Sequence, residues 1–243
     1  MKPLRNLYNK NKYLVIIPAR LGAERLPNKP LKMLGDLPLI AHTFNGVKNV
    51  IHDVYVATDS DQVHSICESL KIPCIKTTKD HLNGTTRTLE AYELIKDEFD
   101  YIINVQGDEV FISEEVLSPL IQLLETTQPQ AATLRAPITD HTSSSNVYVV
   151  SNCQNEAIFF SRSPIPSSRD GSIQRFQHIG VYAYTPKALH QYCNLSPTPL
   201  EKAESLEQLR WIENGNAWAI ATAPVKPLSI DTPEDLESAK ALL

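Results

Sequence analysis

The 243-residue sequence predicts an α/β fold of three layers with a mainly parallel sheet. Three observations carry that expectation. Short apolar runs at residues 14–17 (LVII), 53–58 (DVYVAT) and 101–105 (YIINV) read as strands, the first of them unbroken, as in a strand covered on both faces. Segments with apolar residues at helical spacing alternate with them through about residue 125, which implies right-handed βαβ units. The later part changes texture, with short strands between polar turns, and predicts a small mixed sheet lying over a ligand site or at a dimer contact.

Residues 1–12 form a basic extension, and residues 13–243 are expected to make one domain. The opening strand is expected to stop pairing at Pro18. A loop follows with Gly22, Pro27, Pro30 and the cations Arg20, Arg25 and Lys29. It matches neither the Walker pattern nor the dinucleotide glycine fingerprint. Its prolines stiffen it, however, and cations held in place at the carboxyl end of a strand suit an anion of high charge density such as a triphosphate.

A helix is expected from about Pro38, with Leu39, Ile40, Thr43, Phe44 and Val47 on one face. The strand at 53–58 runs into Asp59. A helix carrying Val63, Ile66, Cys67 and Leu70 leads to a brief strand at 73–76, and the loop DHLNGTTR opens the next helix. After the strand at 101–105 comes Gln106-Gly107-Asp108-Glu109, where Gly107 lets the chain turn and puts Asp108 at the sheet edge. Val116, Leu117, Leu120, Ile121 and Leu124 mark the helix after it.

Strands are expected at 131–136, 147–151, 157–161, 177–184 and 217–221. A mobile connection is expected at 164–174, and one helix from about Glu201 to Asn214. Near the end, Thr232 is a good N-cap, Pro233 suits the first helical position and Asp235 falls three residues past the cap, which leaves Asp231 free of capping duty. Two carboxylates, Asp108 and Asp231, match what Mg²⁺ takes from proteins, a few carboxylates completed by water and phosphate oxygens.

Composition excludes several classes. A net charge of −5 without a basic face argues against a nucleic-acid partner. No apolar run approaches the ~20 residues of a membrane span, and the run after the basic N-terminus is too short for a signal peptide. Cys67, Cys74, Cys153 and Cys193 show no metal or redox spacing and are expected to be reduced packing residues. A cytoplasmic location is therefore expected.

The motifs IPARLGAERLPNKPL, ATDSD, DHLNGTTR, NVQGDE, FFSRSPIP, HIGVYAY, TPLEKAESLEQLR and IDTPEDLE, in this order and spacing, resemble the 3-deoxy-manno-octulosonate (Kdo) cytidylyltransferases from about Tyr13 to the end. The resemblance implies a Rossmann-like nucleotidyltransferase fold, Mg²⁺ dependence, CTP as donor, a Kdo-type sugar acid as acceptor and a homodimer. It implies that Arg20 and Lys29 bind the triphosphate, with Ala57, Asp59, Gly84, Thr85 and Arg87 around the nucleotide and sugar acid. Gln106, His178, Tyr182, Glu207 and Gln208 would line the sugar side, and Asp108 and Asp231 would be the metal ligands. Without the resemblance, His178 and Tyr182 read equally well as core residues, and Glu207 and Gln208 as a surface helix pair.

The expected reaction is attack of the sugar's anomeric hydroxyl on the α-phosphorus of CTP, for synthesis of lipopolysaccharide or another surface polysaccharide. The sequence departs from the family pattern at Ala23-Glu24, Asn28, Val110, Tyr148 and Ser167, and the segment between Pro166 and His178 is short. Tyr148 stands where a lysine is common. Those departures leave open a different acceptor (a sialic-type nonulosonate or amino-Kdo) or a degenerate homologue that binds nucleotide without turnover.

Overall fold

The computed structural model describes residues 12–22, 25–78, 81–138, 146–168, 171 and 173–241. The expected extension therefore lies outside the described residues except for Lys12, as do Ala23 and Glu24. The chain divides into two compact units, residues 1–114 with 227–243, and residues 115–226.

The first unit begins with β1 (Tyr13–Ala19), which continues through Pro18 in register with Ala57. The expectation that pairing stops there fails, because the ring removes one donor without bending an already extended chain. A 3₁₀ turn (Lys29–Leu31) and a two-stranded antiparallel ribbon, β2 (Met33–Leu34) with β3 (Leu37–Pro38), were not foreseen. They lead into α1 (Leu39–Lys48), whose Leu39, Ile40, Thr43, Phe44 and Val47 are buried as the spacing predicts. Then come β4 (Asp53–Thr58), α2 (Asp61–Ser69), β5 (Cys74–Lys76), α3 (Gly84–Ile95) and β6 (Tyr101–Val105).

These strands lie in the order β6-β1-β4-β5, all parallel. Every residue of β6 and nearly all of β1 is buried, so both faces of the sheet are covered. Ser60 caps α2 by accepting from the Val63 N–H, and Asn83 caps α3 by accepting from the Thr86 N–H. Gly46 lets α1 approach the backbone of Ile112: a Cβ there would lie 2.2 Å from the Ile112 oxygen.

The second unit holds most of α4 (Glu114–Thr127), then β7 (Ala131–Pro137), β8 (Tyr148–Ser151), β9 (Ala157–Ser161), β10 (Phe176–Tyr184), α5 (Pro186–Cys193), α6 (Pro199–Glu204), α7 (Leu209–Glu213) and β11 (Ala219–Thr222). β10 pairs antiparallel with β7 and β8, β8 antiparallel with β9, and β11 parallel with β7, the mixed sheet expected. The single helix expected from Glu201 to Asn214 is two. Ser205 takes a left-handed conformation (φ 53°) and ends α6. The connection is then held by the Tyr192 hydroxyl donating to the Glu207 carbonyl at 2.9 Å and Trp218 Nε1 donating to the Gln208 carbonyl at 2.9 Å. The connection expected at 164–174 falls partly outside the described residues.

The chain then returns to the first unit with α8 (Pro233–Lys240). Its capping box is formed by Thr232 and Asp235, as the sequence predicts. None of the four cysteines is in a disulfide; Cys67 is buried, but Cys153 is exposed and so is not a packing residue. Among the described residues no helix is long and apolar enough to cross a membrane.

Candidate active site

In the first unit the carboxyl ends of β1, β4 and β6 deliver Arg20, Asp59 and Gln106-Gly107-Asp108, the edge where open parallel sheets bind ligands. The strand ends meet at two glycines. A Cβ on Gly107 would lie 3.2 Å from the Pro18 carbonyl oxygen, and one on Gly84 would lie 3.0 Å from the Pro18 ring and 3.2 Å from Gln106 Nε2. A larger residue at Gly107 would crowd the end of β1, and one at Gly84 would crowd Pro18 and Gln106 from the start of α3.

A cavity of about 380 Å³ opens at this edge, with Arg20, Leu21, Gly22, Asp59, His81 and Arg87 among its lining residues. Arg87 is almost wholly buried and anchored. Its guanidinium pairs with Asp59 at 3.1 Å and donates to Thr77 Oγ1 at 2.5 Å and to the Thr78 carbonyl at 3.3 Å. Glu90 braces the same segment, accepting from the Thr78 N–H at 3.0 Å and lying 2.5 Å from His81 Nε2. These hydrogen bonds hold the Glu90 carboxyl below its usual range, although burial works the other way. Of the predicted nucleotide residues, Arg20, Asp59 and Arg87 line the cavity, whereas Ala57 is buried in β4 and the Thr85 hydroxyl accepts from Asn104 Nδ2 at 3.3 Å. His81 and Glu90 were missed. The motif DHLNGTTR contains His81, but no local spacing marks its partner one helical stretch away.

Lys29 is not among the cavity's lining residues. Its Nζ donates to Asp108 Oδ2 at 3.0 Å and to Asp231 Oδ1 at 2.9 Å, and Arg25 reaches the other oxygen of Asp231 at 3.1 Å. Two carboxylates brought from distant points of the sequence thus share one ammonium. Burial alone would lower the Lys29 pKa, but Asp108 and Asp231 raise it above the ordinary lysine value. Burial likewise works to raise the Asp231 pKa, and Lys29, Arg25 and Asp108 bring it below the usual carboxylate range. The Asp231 side chain is spared capping work because Asp235 caps instead, accepting from the N–H groups of both Asp231 and Thr232 at 2.9 Å. Among the described residues no group of three or more His, Cys, Asp or Glu side chains is placed to hold a metal.

The predicted sugar residues fall in both units. Gln106 belongs to the first, beside Gly84. His178, Tyr182 and Gln208 lie together in the second, all buried. The His178 ring sits 5.1 Å from Phe160 and 5.2 Å from Tyr182, and the Tyr182 hydroxyl donates to Gln208 Oε1 at 3.4 Å. Thr133 donates its single hydroxyl proton to the Val181 carbonyl at 2.7 Å, so its 2.8 Å contact with His178 Nε2 requires the imidazole to donate. Burial, reinforced by Lys226, pushes the His178 pKa down to about 3. The imidazole is therefore neutral at physiological pH and supplies a hydrogen-bonding group rather than a cation. Tyr148, at the family's lysine position, is buried in β8.

A sequence model of the family described as Cytidylyltransferase matches residues 14–220. The 3-deoxy-manno-octulosonate cytidylyltransferase of Polynucleobacter necessarius subsp. necessarius (strain STIR1) is 40% identical over 242 residues, covering 95% of each chain. The chain belongs to the 3-deoxy-manno-octulosonate cytidylyltransferase family. Another cytidylyltransferase of that name, from Parabacteroides distasonis, is 37% identical over 246 residues, 96% of this chain and 98% of its own. The fold agrees with a solved structure described as CMP:2-keto-3-deoxy-manno-octonic acid synthetase complexed with CTP. The TM-score is 0.87 and the identity 35%, over 95% of this cytidylyltransferase chain and 98% of that one. An inositol-1-phosphate CTP transferase from T. maritima shares the fold at 13% identity, with a TM-score of 0.68 over 96% of this chain and 97% of that one.

Proposed function

We propose that this protein transfers CMP from CTP to the anomeric hydroxyl of Kdo and releases pyrophosphate, with Mg²⁺ held by Asp108 and Asp231. The observation that carries the chemistry is the convergence of these two carboxylates on one cation, Lys29. The donor set fits Mg²⁺. Two carboxylates that already share one positive charge can exchange it for a divalent ion whose remaining positions go to water and phosphate oxygens. When bound, the metal would neutralise charge on the phosphates and lower the pKa of the attacking hydroxyl.

The chain's own residues do the rest. With Asp108 and Asp231 holding Mg²⁺, the Lys29 ammonium that now pairs with them would be available to the triphosphate. Arg20 and the anchored Arg87 offer guanidinium groups to phosphate oxygens. Held in place beforehand, these charges stabilise the α-phosphate oxygens and the leaving pyrophosphate as negative charge grows on them. The hydroxyl oxygen bonds to the α-phosphorus as the bond to the bridging oxygen breaks, and positioning two anions that repel each other is a large part of the task. For the sugar side, the reading rests on the family resemblance at Gln106, His178, Tyr182, Glu207 and Gln208. The same resemblance supports a cytoplasmic homodimer supplying a surface polysaccharide, for sedimentation and cell fractionation to test.

Purified protein with CTP, Mg²⁺ and a panel of sugar acids tests the proposal. Kdo should give stoichiometric pyrophosphate and CMP-Kdo; turnover only with a different acid would refute the acceptor, and CTP binding without turnover on any acid would refute the activity. Asp108→Asn or Asp231→Asn should lower turnover by roughly a hundredfold or more. Near-normal rates in both at limiting Mg²⁺ would remove them from the metal site.

A further inference from the structure

The turn after β6 carries a second carboxylate to which the proposed reaction gives no task. Glu109 adjoins Asp108 yet is only 5% exposed. Burying a carboxylate is costly unless its oxygens are satisfied, so its place calls for a specific partner. Ser229 provides one, donating its hydroxyl to Glu109 Oε2 at 3.0 Å. Beside that contact the Ile230 N–H donates to the Asp108 carbonyl at 3.1 Å. Val110 and Ile230, the next residues along each side of this bracket, are buried in one apolar cluster with Leu34, Leu39 and Leu236. A side-chain bond, a backbone bond and a shared apolar cluster therefore join the segment of Asp108 to the segment of Asp231. That junction lets two carboxylates from the unit's two separate chain segments reach a single ammonium.

We propose that Glu109 and Ser229 are positioning residues that set the spacing of Asp108 and Asp231, and with it the affinity of the pair for a divalent cation. The inference rests on the metal reading given above. Groups that orient ligating carboxylates typically govern metal affinity by about 10–100-fold. A purely structural Glu109 would lower stability and leave metal affinity alone.

The test uses Mn²⁺ as a paramagnetic probe, its dissociation constant measured by electron paramagnetic resonance with CTP present, beside thermal denaturation and separate kcat and KM values. Glu109→Ala and Ser229→Ala should weaken Mn²⁺ binding by about 10–100-fold. The CTP KM at saturating metal should move far less. Glu109→Gln keeps a carbonyl acceptor for the Ser229 hydroxyl and should stay close to the unaltered protein. Unchanged Mn²⁺ affinity in a folded Glu109→Ala or Ser229→Ala variant overturns the proposal. So does a Glu109→Gln variant as impaired as Glu109→Ala, which would make the charge, not the spacing, the working element. If Glu109→Ala does not fold, Ser229→Ala decides by the same measurement. Failure of the unaltered protein to bind Mn²⁺ with CTP would overturn the metal reading itself, and this inference with it.

Discussion

Replacing His178 by glutamine should remove part of the acid sensitivity of the second unit, and the size of that part follows from its surroundings. His178 is buried among Phe160 and Tyr182, its Nε2–H is engaged by Thr133, and its pKa is pushed down to about 3. An unfolded histidine titrates near 6.5, so below that pH the unfolded chain binds a proton that the folded one refuses. Unfolding then gains in free energy as the pH falls. The stability is fully present above about pH 7, declines through pH 6.5 and is fully lost near pH 3. At ~1.4 kcal/mol per pH unit, the loss between pH 7 and pH 5 is about 2 kcal/mol. Glutamine keeps a donor for Thr133 and has no proton to gain. The assay is urea denaturation at both pH values. Fluorescence is a suitable probe because the chain's two tryptophans, Trp211 and Trp218, are both buried in this unit. The variant should be less stable at pH 7, through imperfect packing, but should lose about 2 kcal/mol less on going to pH 5. Equal losses in the two proteins, or an imidazole nitrogen resonance that titrates near pH 6.5 in the folded state, would refute the reasoning.

Three further outcomes are expected. Lys29→Met frees Asp108 and Asp231 of their shared cation, so Mn²⁺ should bind more tightly without nucleotide while turnover falls by about 100-fold or more; weaker Mn²⁺ binding would mean that Lys29 does not compete for the site. Gly46→Ala places a Cβ against the Ile112 carbonyl and should cost about 1–3 kcal/mol of stability in urea, with an unchanged midpoint contradicting the close approach. Arg210→Met strands Glu201, whose Oε2 accepts from Arg210 Nε at 2.8 Å with both side chains nearly buried, and should cost about 3–5 kcal/mol. Adding Glu201→Leu should restore much of that loss, and a double variant as unstable as the single one would argue against a charge-based penalty.

The parts of the fold that were legible in the sequence are those set by local burial. The runs at 14–17, 53–58 and 101–105 became β1, β4 and β6 because a strand covered on both faces needs little but apolar residues. Thr232, Pro233 and Asp235 announced α8 through capping chemistry alone. The break between α6 and α7 was hidden, since a serine in the left-handed region carries no sequence mark and the bonds that hold the break come from Tyr192 and Trp218. α5 was overlooked although Thr185 caps it and Pro186 opens it. In the site, Asp108 and Asp231 could be picked out because each stands at a turn with no local duty. Their capture of Lys29, the bracing of Thr78 by Glu90 and the Glu109–Ser229 bond depend on residues far apart in sequence, which no periodicity records.

The pairing of Lys29 with Asp231 spans 202 positions, and it closes only after the chain has left the first unit and come back. During synthesis at about 5–20 residues per second, Lys29 precedes its second partner by roughly 10–40 s. Once Asp108 has been made, 79 positions after Lys29, and until Asp231 follows, a nascent chain holds half of its carboxylate pair. A chain that stops between residues 227 and 230 carries Arg20, Arg87 and the entire second unit but lacks Asp231, and its Lys29 keeps Asp108 as partner without the second carboxylate.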